Sequence, residues 1–110
     1  VLDVTFYRDS RDRLSRIVAN GHAGWADAGE DVVCAGASAV LQTAWLGLAE
    51  HARIALTAER DAGRLDLRWP AADRERVDVQ AIVETARLAI EALARQFPAN
   101  VSVHFARGDG

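Results

Sequence analysis

Gly21-His22-Ala23-Gly24-Trp25-Ala26-Asp27-Ala28-Gly29-Glu30-Asp31-Val32-Val33-Cys34-Ala35-Gly36-Ala37-Ser38 is the stretch across which the pattern of the chain changes. Before it, apolar residues alternate with polar ones. After it, they recur at steps of three and four. A glycine-punctuated segment running into an apolar periodic one reads as a loop feeding a helix N-terminus. Asp31 is the candidate N-cap, so Val32, Val33 and Cys34 become the first three helical positions. From there to about His51, Val33, Ala37, Val40, Leu41, Ala44, Leu48 and Ala52 fall on one helical face. Cys34, Ser38 and Leu41 share a stripe, because positions i, i+4 and i+7 stack on one side.

Upstream, Leu2, Val4 and Phe6 alternate with Asp3, Thr5 and Tyr7, the mark of a half-buried strand. A polar turn at Asp9–Asp12 leads to a second strand at about Leu14–Asn20, and the two make a hairpin. Downstream, Ile54, Leu56 and Ala58 alternate, Asp61-Ala62-Gly63 turns, and Leu65, Leu67 and Trp69 alternate with Arg64, Asp66 and Arg68. Pro70 ends that strand, and Ala71–Arg76 is a polar connection. Val79, Ile82, Val83, Ala86, Ala89, Ile90, Leu93 and Phe97 trace a second amphipathic helix, stopped by Pro98 and Asn100. Val101, Val103 and Phe105 form a last strand.

The order is ββαββαβ, an α+β fold. The economical packing is one largely antiparallel sheet with both helices on one face. The other face carries Asp3, Thr5, Tyr7, Arg64, Asp66, Arg68, Ser102 and His104 and is expected to meet water. A chain of 110 residues, half of them hydrophobic, makes one domain over 1–110. A net charge of -3 argues against a general polyanion binder, so no direct nucleic-acid partner is expected. The single cysteine excludes an intramolecular disulfide and suits a reducing cytoplasm. No apolar run of transmembrane length and no membrane partner are expected. The histidines and carboxylates lack metal-ligand spacing, so neither metal nor cofactor is expected.

Cys34 in a first turn meets unsatisfied N–H groups and the positive end of the helix dipole, which favour a thiolate. His22, on the loop upstream, can fold back as its base; thiol, histidine and helix N-terminus are the parts of a cysteine nucleophile. Each residue also has a bland reading. A cysteine on a small-residue helix is a core filler, His22 a loop residue, Asp31 only a cap, and Ser38 a donor to the preceding turn. His51 ends the first helix, where its charge suits the dipole; His104 lies on the open sheet face. Trp45 and Trp69 read as core or edge packing. Trp45 also widens the apolar arc of its helix, which marks a partner surface.

The Gly21-His22-Ala23-Gly24 element, then Gly29, then Asp31-Val32-Val33-Cys34-Ala35, then Ser38, resembles the signature of the ribosomal-processing cysteine proteases, the Prp family. The Gly-His-Ala histidine stands twelve positions before the cysteine, and the resemblance spans nearly the whole chain. It implies a catalytic dyad of His22 and Cys34, supporting positions at Asp31 and Ser38, and a substrate loop with Gly21, Gly24, Trp25 and Gly29 that opens for an extended peptide. It implies removal of a short N-terminal extension from a large-subunit ribosomal protein precursor by a homodimer. Trp25 replaces a smaller aromatic and Gly36 a common alanine. Gly36 costs about 1 kcal/mol relative to Ala in a helix, which suggests close packing or flexibility near the sulfur. Two other classes compete: a non-enzymatic ribosome-assembly or peptide-binding module, and a thiol-redox or acyl-thiol protein, which would need a partner thiol for disulfide chemistry.

An activated Cys34 should react with iodoacetamide with a pH midpoint below the free-thiol value of about 8.5. A midpoint at or above that value in folded protein would remove the case for activation.

Overall fold

A computed structural model describes residues 1–21 and 32–108. Strands β1 (Leu2–Arg8) and β2 (Leu14–Asn20) form the first hairpin. Helix α1 (Val32–Leu46) follows and widens into a π-helical turn at Gly47–His51. Strands β3 (Thr57–Asp61) and β4 (Arg64–Arg68) form the second hairpin. A short 3₁₀ turn at Ala71–Asp73 leads to α2 (Val77–Gln96) and β5 (Val101–Arg107). The ββαββαβ order is the expected one.

The sheet order is β3-β4-β2-β1-β5. Three of its pairings are antiparallel; β5 runs parallel to β1, because α2 carries the chain across to that edge. The sheet is therefore mixed. Phe6 and Phe105, opposite each other in the parallel pair, stack with ring centroids 5.9 Å apart. The core lies between the sheet and the helices, with Val4, Phe6, Ile17 and Leu67 from the strands. Cys34, Ala37, Leu41, Ala44 and Leu48 come from α1 and its π turn, and Val79, Val83 and Ile90 from α2. The buried stripe of α1 is thus centred on Cys34 rather than on Val33 and Val40, which are only partly buried.

Several expectations need correction. Strand β3 begins at Thr57, not Ile54. Its partner β4 is five residues long and on this side reaches only Thr57–Asp61. Ahead of it Arg53 takes φ +55°, and the Leu56 N–H donates to the Ile54 carbonyl. Phe97 is exposed rather than part of the buried face of α2. Val32–His51, 20 residues with mean hydropathy 1.6, does reach the length and composition of a membrane span. Its buried residues are Cys34, Ala37, Leu41, Ala44 and Leu48, which pack in the core. Gly36 is not closely packed: a Cβ there would meet nothing within 4 Å.

The open sheet face is not uniformly wet. Val18 and Asp66 are buried on it. Arg16 donates from Nε to Asp66 Oδ1 at 2.9 Å, with Arg64 and Arg68 close by, and the Arg16 guanidinium lies 5.0 Å over the Tyr7 ring. The Arg16 hydrogen bond holds the Asp66 carboxyl below its ordinary value. The connection at 71–76 is equally structural, since Arg74 is buried and donates to the Trp69 carbonyl and to Asp9.

Asp9 sits at the bend between β1 and β2. Its Oδ1 accepts the N–H groups of Arg11 at 2.9 Å and Arg13 at 3.0 Å, and its Oδ2 meets the Arg13 and Arg74 guanidiniums. Burial alone would push its pKa up; these donors bring it down to about 2. A carboxylate depressed from about 3.9 contributes roughly 2–3 kcal/mol of stability, present above the unfolded value and lost as pH falls through about 2. Asp9→Asn should lower the urea midpoint at pH 7, and the gap between the two proteins should close as pH falls from 4 to 2. A gap that stays constant over that range would contradict this assignment.

Candidate active site

Cys34 is the third residue of α1, as the loop-to-helix reading required. Its side chain is 1% exposed and packs within the core. Among the described residues, the first turn around it carries no acidic side chain. His22, Gly24, Trp25, Gly29 and Asp31 lie outside the described residues, as does the whole 23–30 loop.

Gly21 is placed and explained. It takes φ +106°, and a Cβ there would fall 2.3 Å from the Val1 carbonyl oxygen. Its N–H donates to the Gly63 carbonyl at 2.9 Å, tying the end of β2 to the tip of the second hairpin. Only glycine satisfies both the space and the backbone angle. The chain therefore leaves the sheet at a fixed point just before His22.

Ser38, one turn after Cys34, accepts a hydrogen bond from Gln42 Nε2 at 2.8 Å. The donation to a preceding carbonyl that was one reading of Ser38 is instead made by Thr43, to Ala39 at 2.7 Å. Ser38, Gly21 and Leu41 line one cavity of ≈ 600 Å³ between α1 and the tip of the β3–β4 hairpin. Trp45 lines it too. It is half-buried and packed against the core, while its neighbour Leu46 is exposed. Trp69 is core, its Nε1 donating to the Leu14 carbonyl at 2.9 Å.

The hairpin tip Arg60–Leu65 was not read as part of a site. One signal for it was present. Arg60 pairs with Leu65, so it stands on the helix-facing side of β3, where alternation from Ala58 calls for an apolar residue. An arginine at such a position faces an opening rather than a core.

The other two histidines stand apart from Cys34. His51 is exposed and closes the π turn at the far end of the helix, roughly 25 Å along the axis. His104 lies on the open sheet face, 3.1 Å from Asp3.

The sequence profile of the family described as cysteine protease Prp matches residues 1–102. The ribosomal processing cysteine protease Prp of Staphylococcus aureus is 26% identical over 111 residues, covering 94% of this chain and 96% of its own. Among solved structures, that of a Streptococcus mutans protein superposes with a TM-score of 0.80 at 24% identity, covering 98% of this chain and 96% of its own. The Staphylococcus aureus ribosomal processing protease Prp with a substrate peptide superposes with a TM-score of 0.83 at 20% identity, covering 96% and 99%. The two superpositions show a common fold, and the profile match over almost the whole chain makes this protein a member of the cysteine protease Prp family.

Proposed function

We propose that the protein removes a short N-terminal extension from a large-subunit ribosomal protein precursor through a Cys34/His22 dyad. The observation that carries this reading is the position of Cys34, in the first turn of α1 and one turn from a ≈ 600 Å³ cavity, in a chain of this family. The remoteness of His51 and His104 supports His22 as the base by elimination.

The chemistry follows. His22 accepts the Sγ proton, and the thiolate adds to the scissile carbonyl carbon. Backbone N–H groups of the first turn hold the resulting oxyanion. Collapse breaks the C–N bond, and His22 returns its proton to the departing amine. A water, deprotonated by His22, then hydrolyses the thioester and frees Cys34. Asp31 caps α1 and orients His22, and Ser38 is the supporting hydroxyl. Gly21, Gly24, Trp25 and Gly29 belong to the substrate loop. The reaction needs neither metal nor cofactor. Ribosomal protein precursors are cytoplasmic, and so is the enzyme on this reading.

Cys34→Ser should fold as the unaltered chain does and leave the precursor uncut by mass spectrometry; retained cleavage would move the nucleophile elsewhere. His22→Ala should lower kcat/KM by about 10²–10⁴ while peptide binding persists. Asp31→Ala should cost about 1 kcal/mol as a lost cap. Asp31→Asn should recover that stability without the activity; recovery of both would leave Asp31 as a cap alone.

We also infer that the protein acts as a homodimer. Support comes from the outer groove between α1 and α2, ≈ 490 Å³ and lined by Val40, Ala44, Ile82 and Ala86. A two-fold pair would cover this groove in both subunits. Light scattering at micromolar concentration should give a dimer mass, shifted toward monomer by Ala39→Arg at the exposed lip. A monomer mass for the unaltered chain would exclude the pair.

A further inference from the structure

The cavity beside α1 lies at the margin of the core, where the buried Leu2, Ala19 and Leu41 and the partly buried Trp45 and Leu65 bound an open hollow. Its floor is Leu2, Ala19 and Leu65, the last two opposite each other across the β2–β4 register. Its wall is Leu41 and Trp45. Protein interiors are packed nearly without voids, and hollows of a few hundred cubic ångströms open to the surface are where ligands bind. The rim is polar. Arg60, on the helix-facing side of β3, makes no ion pair among the described residues, so a cation stands at the mouth of an apolar hollow.

The place of this hollow relative to Cys34 sets what enters it. Ser38, Leu41 and Trp45 follow Cys34 by four, seven and eleven residues along one stripe. At 1.5 Å per residue they lie roughly 6, 10 and 16 Å down the helix axis. An extended peptide advances about 3.3 Å per residue. We propose that the cavity is a substrate subsite that takes a large apolar side chain about three to five residues from the scissile bond, with Trp45 as the wall that selects it. The indole face and aliphatic floor suit an aromatic or large aliphatic group. Arg60 at the mouth suits a peptide carbonyl or carboxylate next to that group. This rests on the reading of Cys34 as the nucleophile.

The test is cleavage of a decapeptide library in which one position is fixed as Phe or Ala and the rest are randomised. Mass spectrometry of the products gives the cut site and the distance of the fixed residue from it. The unaltered protein should cut Phe peptides about tenfold faster than Ala peptides at one position three to five residues away. In Trp45→Ala that ratio should fall to about one. Gln42→Phe fills the mouth from an exposed helix position, leaves the core untouched, and should abolish the ratio as well, so it carries the test if Trp45→Ala does not fold. Cleavage with no such preference, or a preference that survives in Gln42→Phe, overturns the subsite and leaves the protease reading intact. Fluorescence anisotropy with Cys34→Ala and labelled Phe and Ala peptides separates the converse case. Tighter binding of the Phe peptide that is lost in the Cys34→Ala, Gln42→Phe double variant supports the subsite even where no cleavage by the unaltered chain is seen.

Discussion

Helix α1 can lie where it does only because its inner stripe is small. Cys34, Ala37 and Ala44 meet the core with one or two side-chain heavy atoms each, and only Leu41 and Leu48 are large. Small side chains bring a helix axis close to its neighbours. On the far side the contact is just as tight: a Cβ on Gly47 would come 3.2 Å from Ile82 Cγ2 of α2. Held from both sides, the helix has little freedom to slide, and the position of its first turn is set by packing some distance away. Cys34 belongs to this arrangement as a core residue as well as a thiol. A larger residue there would push against the core, so packing alone already calls for a small side chain at Cys34.

The electrostatics have a similar economy. The chain has no lysine, so its permanently charged basic side chains are all arginine. The two buried aspartates among the described residues, Asp9 and Asp66, each gather more than one guanidinium. The guanidinium fork offers several donors in a plane, so it can satisfy a carboxylate and a backbone carbonyl together, as Arg74 does with Asp9 and Trp69. Burying such a charge costs several kcal/mol unless it is fully hydrogen-bonded, which explains why these carboxylates sit at junctions. Asp9 joins the first hairpin to the approach to α2, and Asp66 joins β4 to β2.

Much of this was legible because it is local. Strand β2 ends at Asn20, where Gly21 takes a positive φ, and both bounds agree with its sequence pattern. The first-turn position of Cys34 followed from the switch of period at Val32. What could not be read depends on partners distant in the chain. Ile54 and Leu56 alternate like a strand but have no β4 residue to pair with. Asp66 alternates like a surface residue, yet Arg16, fifty positions earlier, covers it. The parallel pairing of β5 with β1 depends on which edge α2 reaches. For the site, Gly21 and Ser38 were visible from their place beside the Cys34 helix turn. The hairpin tip that completes the cavity comes into contact only through the β2–β4 register, and Arg60 was its sole local trace.

The cavity itself follows from the dimensions of the layers. Five strands spaced about 4.8 Å apart span roughly 19 Å between outer axes. With half a strand spacing on each side the full width is about 24 Å, whereas two helices about 10 Å across and 8–10 Å apart cover about 18–20 Å, and a small-residue contact such as Gly47 against Ile82 draws them closer still. One edge of the sheet must remain uncovered. Here it is the β3 edge, where four of five residues are exposed. An uncovered inner face can be filled by a loop, made polar, or kept apolar and open. Leu65 and Trp45 keep it apolar, and Arg60 keeps its mouth wet. The hollow therefore opens along the same helical stripe that begins at Cys34, with Ser38, Leu41 and Trp45 on its wall.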